Sequence, residues 1–241
     1  METGKLKGFI NRYYLNGCGL EQVLIDFNKD DTKVHFTGTN KTLIGYVTLN
    51  DGIDAGRVGI YQTPLFVKYL GAFDASDELN VETVKRGDII QSIEMKSEDV
   101  NVIVTAADPE IIPVPMNLKG EREYEFVVSL TPELMDSFKR YKTASDAKII
   151  AIDLKPSKVD VIFNWSENNS NRIKYPIKNT LITKTSDVPT LICFSADIFS
   201  EIFAANKNAT GTMSFNSGGL CKIELNDADY TCIYYIVKTV V

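Results

Sequence analysis

A short strand followed by a capped helix occurs three times along this chain, a fourth such helix start opens it, and that repeat constrains the fold more than any other feature. The fullest copy is residues 126–142. Phe126 to Val128 is a short apolar run, and TPELMDSFKRYK follows two residues later. Thr131 is placed to cap a helix, because its hydroxyl can accept from an N–H two or three residues on. Pro132 stands at the first helical position, where a missing N–H costs nothing. Leu134, Met135 and Phe138 make one apolar face at helical spacing. Lys139, Arg140 and Lys142 gather near the C-terminal end, where cations complement the helix dipole. VGIYQTPLFVKYLGAF and LICFSADIFSEIFAAN repeat the pattern at Thr63 and Ser195, and a weaker copy opens the chain with Thr3, Leu6, Phe9, Ile10 and Tyr13. Thr3 and Thr131 are 128 residues apart, and Thr63 and Ser195 are 132 apart. The long repeat is therefore about half the chain, and each half holds two cap-and-helix units.

The helices expected from this pattern are 3–16, 63–73, 131–143 and 195–207, the first ended by Asn16 and Gly17 in a left-handed stop. Between them, EQVLIDFNK, TKVHFTGT, KTLIGYVTL and RVGIY alternate apolar and polar residues and read as strands, as do ELNVETVKRG, DIIQSIEMK and VNVIVTAAD. The second half repeats the order. Its strands are EYEFVVSL, AKIIAIDLK, KVDVIFNWS, NRIKYPIK, TLICFS, GTMSFNS, LCKIELN and YTCIYYIV, with a loop around Pro189 before TLICFS. Prolines 109, 113 and 115 forbid a helix or a central strand over 108–122. The expected architecture is α+β, with two helices on one face of antiparallel sheets in each half. The expected domains are 1–108 and 123–241, joined by an extended connector at 109–122.

Composition narrows the function. Apolar residues make up 44% of the 241 and charged residues 24%, which suits a folded core. No run of about 18 apolar residues marks a membrane span. The N-terminus lacks the apolar core of a signal peptide, so an intracellular protein without membrane contact is expected. Cys18, Cys193, Cys221 and Cys232 have no metal-ligand or redox spacing, and read as thiols in a reducing compartment. His35, the one histidine, sits in an alternating strand pattern. Neither a phosphate loop nor a dinucleotide fingerprint is present. No cofactor, metal site or catalytic residue is expected.

The net charge of −6 hides a segregation. The four helix segments hold Lys5, Lys7, Arg12, Lys68, Lys139, Arg140, Lys142 and Lys207 against Glu133, Asp136, Asp197 and Glu201. They sum to +4, which leaves −10 for the remainder. One account is a surface for phosphate. The other is that helices carry lysine on their solvent face and near their C-termini for dipole reasons.

Taken together, the four strand-then-[ST]-[PA] helix starts, the half-chain repeat, the AADP run at 106–109 before a proline-rich connector, and the ending DADYTCIYYIV resemble the DNA polymerase sliding clamps, most closely those of the T-even phage type. The resemblance spans essentially the whole chain. It implies two clamp-type domains per chain, a head-to-tail homotrimer closing a six-domain ring, helices lining the hole and sheets outside. It further implies that the ring encircles duplex DNA without reading sequence, tethers the polymerase and is set in place by a clamp loader. The eight helix cations would then be the DNA contacts. A partner-peptide pocket beside the connector would draw on Ile111, Ile112, Val114 and Met116, with Leu43 and Tyr235 as walls. Subunit contacts would use edge strands near 101–106 and 171–177, the second made partly ionic by Arg172 and Lys174.

Rival readings predict different behaviour. A processivity factor of the herpesvirus kind shares the fold but works as a monomer or dimer. It needs a stronger basic face than +4 offers. A viral structural or assembly protein built of two β-rich repeats would show no DNA dependence. An enzyme is disfavoured by the near-empty catalytic inventory.

Overall fold

The computed structural model describes residues 1–87, 89–118, 122–155, 158–168, 171–178, 180–182 and 190–240. The chain divides into two compact units. One comprises Met1–Thr39, Ile44–Met116 and Ala228–Cys232; the other comprises Asn40–Leu43, Asn117–Asp227 and Ile233–Val241.

The first unit opens with helix α1 (Thr3–Tyr14), which buries Leu6, Phe9, Ile10 and Tyr13 on one face. It ends where Leu15 and Asn16 take left-handed φ of 46° and 51°, two residues short of the expected stop. Four antiparallel strands follow: β1 (Val23–Phe27), β2 (Thr32–Thr37), β3 (Leu43–Leu49) and β4 (Gly56–Ile60). They pair in the order β3-β2-β1-β4. Helix α2 (Thr63–Leu70) stops at Gly71, earlier than its apolar spacing suggested, and packs against α1. A three-stranded sheet completes the unit, with β5 (Asn80–Arg86), β6 (Ile89–Lys96) and β7 (Asn101–Thr105) side by side in that order.

The threonines at the helix starts of this unit do not cap. Thr63 is buried; its hydroxyl donates to the Glu21 carbonyl at 2.8 Å and meets the Tyr13 hydroxyl at 3.2 Å. Thr3 likewise donates to the Asp77 carbonyl at 2.9 Å. Both hydroxyls tie a helix start to a neighbouring segment. Gly8, inside α1, costs roughly 1 kcal/mol against alanine. It is needed because a Cβ there would come within 2.3 Å of the Tyr230 hydroxyl, which donates to the Lys5 carbonyl at 2.8 Å.

The second unit repeats this order after the lead strand β8 (Phe126–Leu130). Helix α3 (Pro132–Ala144) has the cap its sequence promised, with the Leu134 N–H donating to Thr131 Oγ1 at 3.3 Å. Then come β9 (Ile149–Lys155), β10 (Lys158–Phe163), β11 (Ile173–Ile177), β12 (Thr180–Ile182), β13 (Thr190–Ser195) and helix α4 (Ala196–Ala205). The sheet order β11-β10-β9-β13 matches β3-β2-β1-β4 of the first unit element for element. β14 (Thr210–Phe215) pairs with both β8 and β15 (Leu220–Asn226), while β12 pairs with β8. The last strand, β16 (Tyr230–Val237), begins in the first unit and ends in the second. β12 lies where the sequence suggested only loop; three residues are too few to show a period.

The core of the second unit is an aromatic cluster. Phe138 of α3 meets Phe163 at 4.9 Å, Phe203 at 5.1 Å and Phe199 at 5.6 Å between centroids. Phe163 thus points β10 at the helices, and alternate residues point away. On that opposite side Asp160 is fully buried, with Lys174, Lys158 and Lys155 at 3.1, 3.2 and 3.5 Å. Burial alone would raise its carboxyl pKa, but the hydrogen bonds and charges of Lys174 and Lys158 prevail and hold it below the ordinary 3.8. A depressed folded-state pKa contributes stability that is present above the unfolded value and lost as pH falls through the folded one. Asp160→Asn is therefore expected to destabilise the protein near neutrality. Its deficit against wild type should shrink as pH is lowered from about 4 toward the depressed value, read as urea midpoints in parallel titrations.

Candidate nucleic-acid interface

Helix α3 shows how the cations are presented. Met135 and Phe138 fix its rotation by burying into the core. That leaves Arg140 exposed and Lys139 half-exposed. The Arg140 guanidinium lies 5.1 Å from the Tyr141 ring centre and donates to the Tyr141 hydroxyl at 3.3 Å, so an aromatic steadies the charge without neutralising it. Lys142 behaves differently. Its ammonium pairs with Asp197 of α4 at 2.8 Å and ties the two helices together. Lys207, just past α4, is exposed.

In the first unit, Lys68 stands exposed on α2. Lys7 reaches from α1 to the Phe73 carbonyl at 2.8 Å and keeps its charge uncompensated by an acid. It edges a cleft of about 210 Å³ with Ile10, Asn11, Val67, Leu70 and Gly71. Lys5 pairs with Asp229 at 3.1 Å and with Asp51 at 3.9 Å, and the hydrogen bond to Asp229 raises its ammonium pKa. Arg12 is buried, with its guanidinium 3.6 Å from the centre of the Tyr230 ring and donating to the Gly8 carbonyl at 3.0 Å. It packs the start of β16 onto α1 rather than presenting a charge to solvent. Among the described residues, Lys68, Lys139 and Lys207 make no ion pair or hydrogen bond. With Lys7 and Arg140, they are the helix cations that no carboxylate neutralises.

From Asp108 to Met116 the connector is pinned at several points. Asp108 accepts from the Glu110 N–H at 2.9 Å and starts a short 3₁₀ turn over Pro109–Ile111. Ile112 is buried. Met116 is held at both main-chain groups, its N–H donating to Thr37 Oγ1 at 2.9 Å and its carbonyl accepting from His35 Nε2 at 3.0 Å. The His35 ring stacks on Tyr46 at 4.2 Å, and burial lowers its pKa while the Met116 bond opposes that shift. Between the pins, Ile111 and Val114 stand 60% and 87% exposed, and Met116 is also exposed. Leu43 is fully buried, and Tyr235 is half-buried near Lys222; both belong to the second unit.

An apolar cleft of about 410 Å³ escaped the sequence reading. Ile60, Tyr61, Leu65, Val104, Ala107 and Ile111 line it, where β4 enters α2 and β7 leaves for the connector. The walls meet closely because residue 59 is glycine: a Cβ there would lie 2.5 Å from the Ala107 carbonyl. Tyr61 and Leu65, apolar residues flanking the Thr63–Pro64 helix start, are the one local signal of it in the sequence, and the structure leaves both exposed. Beside the cleft, β7 is an edge strand; in the second unit, β11 is one too. Among the described residues, no group of three or more His, Cys, Asp or Glu side chains is placed to hold a metal, and no helix is long and apolar enough to cross a membrane.

No protein-family model matches the chain, and no curated protein matches it in sequence. Solved structures do match it in fold, over its whole length. Proliferating cellular nuclear antigen (PCNA) from Entamoeba histolytica superposes with a TM-score of 0.76 at 12% identity, covering 99% of this chain and 96% of that one. The fold is that of PCNA. An A. fulgidus PCNA bound to the C-terminal region of FEN-1 gives 0.77 at 11% identity, covering 100% of this chain and 97% of that one. The PCNA2–PCNA3 complex from Sulfolobus tokodaii gives 0.71 at 13%, over 99% and 97%. The PCNA fold accounts for the doubled helix-and-sheet unit; identity this low carries fold and nothing finer.

Proposed function

We propose that this protein is a sliding clamp, a processivity factor of the T-even phage type. Two domains, 1–108 and 123–241, joined by the connector 109–122, would form one third of a homotrimeric ring that encircles duplex DNA, tethers a DNA polymerase and is installed by a clamp loader. The observation that carries this reading is that helix cations remain without acid partners in a chain of net charge −6 with the PCNA fold. A ring holds DNA topologically, so a few unspecific phosphate contacts suffice, and weak ones permit sliding. An acidic remainder discourages binding of DNA elsewhere. No step requires a catalytic group.

Edge strands β7 and β11 supply the means of assembly. Glu98 and Asp99 precede the first, and Arg172 and Lys178 bracket the second, a pairing of opposite charge suited to head-to-tail closure. Exposed Ile103 on β7 and the Tyr61–Leu65 cleft give that contact an apolar part. Ile111, Val114 and Met116 are displayed for a partner peptide, as the FEN-1 segment on the A. fulgidus protein suggests by likeness.

Native mass by light scattering over a dilution series tests the ring. The expected mass is three times the 26.9 kDa protomer, falling on dilution, with the protein retained on nicked circular DNA and lost once the circle is cut. A concentration-independent monomer that still binds linear DNA would replace the ring with an open clip of the herpesvirus kind. A protein indifferent to DNA would favour a structural role.

A further inference from the structure

The shared sheet order lets one unit interpret the other. Phe36 and Phe163 both face helices, the first against Tyr13 and the second against Phe138. Their neighbours His35 and Ile162 therefore occupy equivalent positions on the opposite face. Register agrees: His35 pairs with Tyr46 as Ile162 pairs with Lys174, and Asp26 lies between Lys33 and Arg57 as Asp153 lies between Asp160 and Leu191. On the first unit, an extended stretch of chain occupies this face, held at Met116 by His35 and Thr37. On the second, the same face carries a cleft of about 390 Å³ lined by Asp153, Ile162, Trp165, Arg172, Lys174 and Leu191.

The chemistry of that cleft is specific. Ile162, Leu191 and the Trp165 indole make an apolar floor. The Arg172 guanidinium lies 5.3 Å from the indole centre, exposed, with no carboxylate partner among the described residues. Asp153 is already paired with Lys155 at 2.7 Å, and Lys174 spans Asp160 and Asp153 at 3.1 and 3.5 Å. Two acids thus face four bases, a local excess of positive charge in an acidic chain.

We propose that this cleft docks an extended, acidic and aliphatic peptide segment of a partner protein. An aliphatic side chain would sit on Ile162 and Leu191, and an adjacent carboxylate would take the two parallel N–H groups of Arg172. The connector shows the kind of segment: residues 108–117 carry Asp108 and Glu110, five aliphatic or proline positions from 111 to 115, and no base.

Trp165 is the chain's one tryptophan, so its emission reads this site directly. The probe is an end-blocked synthetic peptide, DPEIIPVPMN, with a counterpart carrying lysine at both acidic positions. The first is expected to shift Trp165 emission saturably. Affinity should fall about tenfold or more for the lysine peptide and for Arg172→Glu, and on loss of one charge-assisted bond to added salt. Arg172 also flanks the edge strand β11, so wild type and variants are compared as monomers at the dilute end of the series, where a change at this exposed position should leave the melting temperature unaltered; Leu191→Glu, also exposed and on β13 away from that edge, provides a second block to binding. No emission change up to millimolar peptide, equal binding of both peptides, or binding unaffected by Arg172→Glu and Leu191→Glu would each overturn the proposal. So would a short DNA duplex that shifts the emission where the peptide does not. Neither ring nor polymerase enters the test, so its failure leaves the clamp reading standing.

Discussion

Phe138→Ala is expected to lower stability by roughly 3–5 kcal/mol. The side chain is 4% exposed and joins α3 to β10 through Phe163 and to α4 through Phe199 and Phe203. Removing it leaves a cavity that three rings cannot all close, because each is fixed by its own backbone. Phe138→Leu, which retains much of the volume, should cost less than half as much. Urea unfolding followed by far-UV circular dichroism would measure both. An alanine variant within about 1 kcal/mol of wild type would mean that α3 is not seated on this cluster.

The second large effect is functional. Reversing Lys139 and Arg140 together to glutamate should leave the fold intact, since Arg140 is exposed, Lys139 is half-exposed and neither meets a carboxylate. Each phosphate contact contributes about 0.9 to the slope of log affinity against log salt. Losing two per protomer should flatten that slope by about 2 for each protomer that touches the duplex and, at about 0.15 M salt, weaken DNA association by at least tenfold before repulsion is added. Arg12→Lys is the informative comparison. Its charge is buried against Tyr230, so it should alter stability and leave the salt slope unchanged. If the double reversal left both the slope and polymerase stimulation at wild-type values, the α3 cations would not be the DNA contact.

The contrast between Arg140 and Arg12 shows where sequence is informative. Helix existence was legible because Met135, Phe138, Ile198, Phe199, Ile202 and Phe203 recur at a period only a helix can bury. Thr131 was legible as a cap because a cap is a local interaction, three residues in reach. Arg12 was not legible, because the ring that covers it belongs to Tyr230, near the other end of the chain. Thr63 looked like a cap for the same local reasons as Thr131, yet its hydroxyl went to Glu21 and Tyr13, partners set by tertiary packing. The 410 Å³ cleft draws on two stretches far apart in the chain, 60–66 and 104–111, and a period within either one cannot reveal it. The whole-chain repeat was the strongest signal, because it is written twice.

The buried carboxylate of Asp160 has a consequence for folding as well as for stability. Lysines from β10 and both neighbouring strands converge on it: Lys158 from its own strand, Lys155 from β9 and Lys174 from β11. A slip of β10 by one residue would turn Asp160 inward among Phe138 and Phe199 and carry Phe163 to the opposite face. The misplaced charge would then be buried without any of its three partners, at a cost of several kcal/mol. A strand such as β10, buried at five of six positions, is covered on both faces, so its apolar pattern alone does not fix the register. One acid among the valines therefore acts as a proofreader, making the wrong pairing of strands unaffordable before the aromatic core has closed.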